Sequence, residues 1–150
     1  MSITIAPMAR VHLPAIEILE EQCFSTPWAP EDLLAELLNK HVIAFAAVDT
    51  ALGEATVAGY CFMRHMVNEG HITNIAVAET YRRRGIAALL MHHMEAAAKA
   101  RSMIGLTLEV RQGNRAAMAL YARFGFKVEG YRPHYYQHPT EDAVIMWKYF

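Results

Sequence analysis

Ile72-Thr73-Asn74-Ile75-Ala76-Val77, followed after four residues by Arg82-Arg83-Arg84-Gly85-Ile86-Ala87-Ala88, is the stretch from which the fold can be read. The first run is short, apolar and β-branched, which suits a buried strand. From Gly85 to Arg101 the chain is rich in Ala, Leu, Met and Glu, with Leu89, Leu90, Met94 and Ala97 expected on one side of a helix. A helix start offers unpaired N–H groups and the positive end of a dipole, so a strand–turn–helix junction is a natural anion cradle. Gly85 would let the backbone approach the anion without a Cβ in the way. Arg82, Arg83 and Arg84 add cationic forks suited to several phosphates. The ligand expected is a phosphorylated small molecule; the plainer reading is a solvated helix start.

Working outward, 2–6, 42–48, 57–65, 106–111, 126–131 and 143–149 read as further strands, with a turn containing Gly53 between the second and third. Residues 13–24 place Ile16, Leu19 and Cys23 on one helical face. Pro27 breaks that helix, and Pro30 suits the first turn of another running to Leu38. A short helix is expected over 115–123. Strands outnumber crossover helices, so the class is a mixed α/β layer structure in one domain over 1–150.

At 150 residues the chain is long enough to bury a real core. Fourteen basic residues against fifteen acidic argue against a general nucleic-acid binder. The N-terminus alternates apolar and polar residues without the pattern of a secretion signal. Its longest apolar run, 42–48, is far short of the roughly 20 residues a membrane helix needs. Cys23 and Cys61 sit in apolar patterns, as reduced thiols of a cytoplasmic protein would. Of the eight histidines, His134 and His138 have a four-residue offset, but in an expected loop and without a carboxylate cluster; no metal site is expected.

Two familiar phosphate motifs are absent: Gly-x-x-x-x-Gly-Lys-Ser/Thr, and Gly-x-Gly-x-x-Gly after a strand. What stands instead is Arg82-x-x-Gly85-x-Ala87, then Leu108-Glu109-Val110-Arg111, then Asn114-x-Ala116-Ala117-x-x-Leu120-Tyr121-x-x-Phe124-Gly125-Phe126. This ordered set resembles the GNAT family of acetyl-CoA-dependent N-acetyltransferases. The resemblance implies a GNAT fold, an α+β arrangement: a mostly antiparallel twisted sheet with helices on both faces and a splayed central strand pair. It implies that the pantetheine arm of acetyl-CoA pairs with strand backbone at Ile75, Ala76 and Val77. The cofactor set it implies continues through Arg82, Arg83, Arg84, Gly85, Ile86, Ala87 and Ala88 to Asn114 and Tyr121. Asn114 is also a plain N-cap for the helix it opens.

Acetyl transfer to an amine needs a neutral nucleophile, a polarised thioester carbonyl and a protonated leaving thiolate. Alternation along 106–111 puts Thr107, Glu109 and Arg111 opposite the apolar row, so Glu109 is the candidate general base. Periodicity alone favours a strand carboxylate paired with Arg111, which shares its face. The family match favours the base, because Leu-Glu-Val-Arg is similar to the ribosomal-protein-alanine acetyltransferases of the RimI type. Tyr121 is the candidate acid, since a phenol near pKa 10 stays protonated at neutral pH; helical spacing also allows a core aromatic.

Glu21-x-Cys23-Phe24-Ser25-x-Pro27-Trp28 and Arg132-x-x-Tyr135-Tyr136 also look like the RimI type. There the two regions line the groove for a protein N-terminus, which makes Phe24, Trp28, Tyr135 and Tyr136 the expected acceptor contacts. The implied reaction is Nα-acetylation of an N-terminal alanine on a ribosomal protein, small-subunit protein eighteen, by direct transfer. Partners implied are acetyl-CoA and that protein terminus, with no nucleic acid and no membrane. Acetylation of a small amine or a lysine is the alternative, and a non-catalytic acetyl-CoA-binding module is a third reading. Arg82 stands for a frequent glutamine, Ala87 for a frequent glycine, and Gln137-His138-Pro139 for a tighter turn.

Overall fold

A computed structural model describes residues 2–51 and 55–150; the turn expected around Gly53 lies outside the described residues. Seven strands form one sheet: β1 (Ile3–Pro7), β2 (Val42–Asp49), β3 (Thr56–Met66), β4 (Glu69–Val77), β5 (Gly105–Arg111), β6 (Lys127–Tyr136) and β7 (Glu141–Tyr149). Their order across the sheet is β1-β2-β3-β4-β5-β7-β6. All neighbours are antiparallel except β4 and β5. A parallel pair requires a crossover, and α3 (Ile86–Ala100) supplies it.

The helices divide between the two faces. α1 (Leu13–Cys23) and α2 (Pro30–Leu38) cover one, where Ile16, Leu19 and Leu33 pack with Tyr60, Phe62 and Ala76. α3 and α4 (Arg115–Arg123) cover the other, where Leu90, Met94 and Tyr121 pack with Met63, Leu106 and Leu108. Each such side chain fully buried contributes on the order of 1.5–3 kcal/mol of transfer free energy. Pro14 and Pro30 occupy the first turns of α1 and α2, where no intrahelical N–H is needed. Asn114 caps α4, its side chain accepting the Ala117 N–H at 3.1 Å.

The register between β4 and β5 runs only from Gly70↔Leu106 to Ile72↔Leu108. Beyond it β4 continues along β3 to Val77, while β5 continues along β7 to Arg111. The sheet therefore opens at its centre, as the splayed pair required. At the same point Thr73 has no partner on β3, because Phe62 faces Asn74 and Met63 faces Ile72. This bulge inserts one residue and reverses the in–out alternation of everything after it.

Three expectations need correction. β6 extends to Tyr136 rather than ending near 131, so Tyr135-Tyr136 and His134 lie in a strand and only His138 lies in the turn. The pattern was hidden because β6 is an edge strand exposed along most of its length, with an irregular register between Arg132 and Tyr136. β4 begins at Glu69, three residues before the apolar run. Leu89, expected on the buried side of α3, is 39% exposed.

Candidate active site

A cavity of about 600 Å³ fills the opening between β4 and β5. Glu109, Tyr121, Asn114, Ile75, Phe24, Trp28, Tyr135 and Tyr136 all line it. Residues scattered over more than a hundred positions of sequence thus meet in one cleft. Ala76 is buried under α1 and α2, and Val77 packs toward α3. The Val77 carbonyl accepts from Arg82 Nε at 3.2 Å.

Residues 82–88 do not line this cavity, but the Arg82 guanidinium reaches Cys23 Sγ, on its wall, at 3.8 Å. Arg82, Arg83 and Arg84 are exposed, and Arg84 lies over the Tyr81 ring at 5.5 Å. Arg83 and Gly85 both hold positive φ, at 62° and 78°, the kind of left-handed turn that gathers successive N–H groups into an anion nest. The first intrahelical bond of α3 is Leu89 N–H to Gly85 O, so the amides of Ile86, Ala87 and Ala88 point out of the helix start. A Cβ at Gly85 would meet nothing within 4 Å, so glycine is needed there for its φ and not for crowding by the protein. A diphosphate and an extended pantetheine arm fit this combination of nest, guanidiniums and unpaired strand edge.

Midway along the cleft, Glu109 Oε2 lies 2.5 Å from His71 Nε2. A carboxylate can only accept, so Nε2 carries the hydrogen. Arg132 Nε stands 3.9 Å from the other oxygen. Burial pushes the Glu109 carboxyl up, but the His71 hydrogen bond and the charges of His71 and Arg132 outweigh it and hold the group below the usual range. The alternative pairing of Glu109 with Arg111 does not form. Arg111 instead reaches Glu141 at 3.2 Å, the Pro139 and Gln137 carbonyls at 2.9 and 2.7 Å, and Ser25 Oγ at 3.0 Å. Its guanidinium also lies over the Tyr136 ring at 4.6 Å. Arg111 thereby ties the α1–α2 connection to the β6–β7 turn across the cleft mouth.

Tyr121 combines its two expected roles in one position: it packs in the core against Phe126 and also faces the cavity. Burial pushes its phenol up to about 12. On the opposite wall Trp28 packs on Phe62, its backbone N–H donating to Glu20 at 2.8 Å. Tyr135 and Tyr136 meet edge to face at 5.0 Å. Cys23 lines the cleft, whereas Cys61 is buried, its thiol pushed up to about 12 by desolvation. Among the described residues no group of three His, Cys, Asp or Glu is arranged to hold a metal ion.

Sequence reading missed His71, Glu20 and Asn74. His71 becomes a neighbour of Glu109 only through the β4–β5 register, which places it beside Thr107. Glu20 sits on the apolar face of α1, where a lone carboxylate carries no pattern of its own.

A mostly antiparallel sheet opened at one parallel pair, with an anion nest at the crossover helix, defines an acetyl-CoA-dependent N-acetyltransferase. The family model "Acetyltransferase (GNAT) family" matches residues 13–126, and the chain belongs to that family. It is 30% identical over 147 residues to the ribosomal protein bS18-alanine N-acetyltransferase of Salmonella typhimurium, covering 95% of each chain. The crystal structure of the Escherichia coli enzyme of that kind superposes with a TM-score of 0.87 at 28% identity, covering 97% of this chain and 92% of the other. The NatC complex bound to Gag peptide and CoA shares the fold, with a TM-score of 0.88 at 24% identity over 100% of this chain and 99% of that one.

Proposed function

We propose that this enzyme acetylates the N-terminal alanine of ribosomal protein bS18, with Glu109 as base, held in place by His71, and Tyr121 as acid. The observation that carries the reading is the Glu109–His71 contact inside the cleft that Tyr121 also lines. The relatives named for this reaction, matched over nearly the whole chain, support the choice of acceptor.

Acetyl-CoA supplies an acetyl group already activated as a thioester. The cradle residues 82–88 bind its diphosphate, and the edge of β4 at Ile75, Ala76 and Val77 aligns its arm. Phe24, Trp28, Tyr135 and Tyr136 hold the incoming peptide. An α-ammonium group has a pKa near 7.7–8.0 and must lose a proton before it can attack. A carboxylate with a lowered pKa is a weak base by itself. It is fully ionised at neutral pH, however, and His71 fixes its orientation, so Glu109 takes the proton and passes it to solvent. The nitrogen forms its bond to the carbonyl carbon as the carbon–sulfur bond breaks. Tyr121 gives its hydroxyl proton to the departing sulfur and regains one from the nitrogen. The amide product keeps a single N–H.

A ribosomal-protein acceptor implies a cytoplasmic enzyme. Intact-mass analysis of two peptides tests the acceptor. A peptide with a free N-terminal alanine gains one acetyl group, while one with a blocked terminus and an internal lysine gains none. Modification of the lysine peptide alone would move the activity to lysine side chains.

A further inference from the structure

Glu20 and Asn74 are both almost wholly buried, yet both line the cleft. Glu20 Oε1 accepts from the Tyr60 hydroxyl at 2.6 Å and from Asn74 Nδ2 at 2.9 Å, and its Oε2 accepts the Trp28 N–H at 2.8 Å. A carboxylate has no hydrogen to give, so the Asn74 amide nitrogen must face it and the orientation of the amide is settled by chemistry. Asn74 Oδ1 then points elsewhere, and it meets no donor among the described residues. A buried acceptor without a partner is uncommon and costly in a folded protein. The residue that carries it lines the cleft through which ligand N–H groups must pass.

Two ligand donors could meet it, an amide of the pantetheine arm or the acceptor amine. The bulge at Thr73 decides between them. His71 and Asn74 are an odd number of residues apart and would face opposite sides of a regular strand. The extra residue turns Asn74 onto the face of His71 and Glu109, which α1, Trp28 and the Ser25–Arg111 tie cover. The anion nest belongs to α3, on the other face.

Resting on the N-terminal acceptor reading above, we propose that Asn74 Oδ1 binds the acceptor's α-amine, taking the one N–H that remains on the nitrogen through to the product amide. That hydrogen bond aims the lone pair at the carbonyl carbon while Glu109 takes the departing proton. Glu20 is a positioning residue: one carboxylate fixes Asn74 on β4 and, through Trp28, the loop that closes over the peptide.

Thr and Val have nearly the same shape, but only Thr can both donate to Glu20 and accept from a ligand, so Asn74→Thr and Asn74→Val separate the roles. Steady-state kinetics with a free N-terminal alanine peptide should show kcat/KM for the peptide falling about tenfold or more in Asn74→Val. Asn74→Thr should stay within about threefold of wild type, and the Kd for CoA by calorimetry should be unchanged in both. Equal activity of all three proteins, or a loss confined to CoA affinity, would overturn the proposal. A measurement on the unmutated protein does not depend on how the variants fold. In a crystal structure with the peptide terminus joined to CoA through an acetyl bridge, Oδ1 should lie within about 3.2 Å of the α-nitrogen; Oδ1 bonded to a pantetheine amide would sink it. Wild-type protein that leaves the alanine peptide unmodified would remove the acceptor reading itself, and Asn74's role with it.

Discussion

Glu109 shows how one side chain's environment selects its chemistry. Burial alone would raise its carboxyl, but His71 and Arg132 more than offset that, so the group is charged across the neutral range. Its folded pKa lies below its unfolded one. The stability it contributes is therefore present above the ordinary glutamate range and lost as pH falls through the lowered value. Replacing His71 by Ala removes the largest lowering influence and leaves burial opposed by Arg132. The acid limb of the kcat/KM profile should then move to higher pH, and an unmoved limb would detach His71 from Glu109. Glu109→Gln keeps the shape but cannot hold a proton, so kcat should fall by about a hundredfold or more with CoA affinity retained. Tyr121→Phe removes only a hydroxyl from a ring that Phe126 and the α4 packing already hold. Its kcat should fall by about a hundredfold while Tm stays close to wild type; unaltered turnover would make Tyr121 a packing residue alone.

At the scale of elements, the junction of β4 and α3 depends on a left-handed residue. Gly85→Ala retains every side chain of the cradle, but an L-residue held at a φ of 78° costs about 1 kcal/mol. The added methyl would also project into the open space over the nest. We expect a modest drop in Tm together with a rise of about tenfold in the KM for acetyl-CoA, and no change in the peptide KM. Equal losses for both substrates would mean the nest does not belong to the cofactor. The elements were largely legible in advance, because α3 and β4 carry strong periodicities and Pro30 and Asn114 mark helix starts. β6 was not, since an edge strand that buries little shows no alternation to read.

For the whole molecule, the opening between β4 and β5 is an unpaired seam in an otherwise continuous sheet. A ligand that pairs with it stabilises the folded state alone. Acetyl-CoA at a hundred times its Kd should contribute about 2.7 kcal/mol, which for a chain of this size raises Tm by roughly 5–10 °C. Hydrogen exchange should slow most along residues 73–77. A Tm indifferent to acetyl-CoA would be incompatible with a cofactor held in the seam.

By itself the sequence determined the class of fold and the strand–turn–helix junction at Arg82–Gly85, because spacing, periodicity and helix-start chemistry act within a few residues; Glu109 and Tyr121 were singled out as candidates by the family resemblance of the motifs around them. Only the tertiary structure decided which groups meet. His71 reaches Glu109 through a three-residue parallel register, Arg111 turns away toward Ser25 and Glu141, and Glu20 finds Asn74 across 54 positions of chain. The bulge at Thr73 reverses a face that alternation would assign the other way. Pairing between strands and the burial of a carboxylate are settled by the whole sheet closing on its helices, and no window of sequence contains that information.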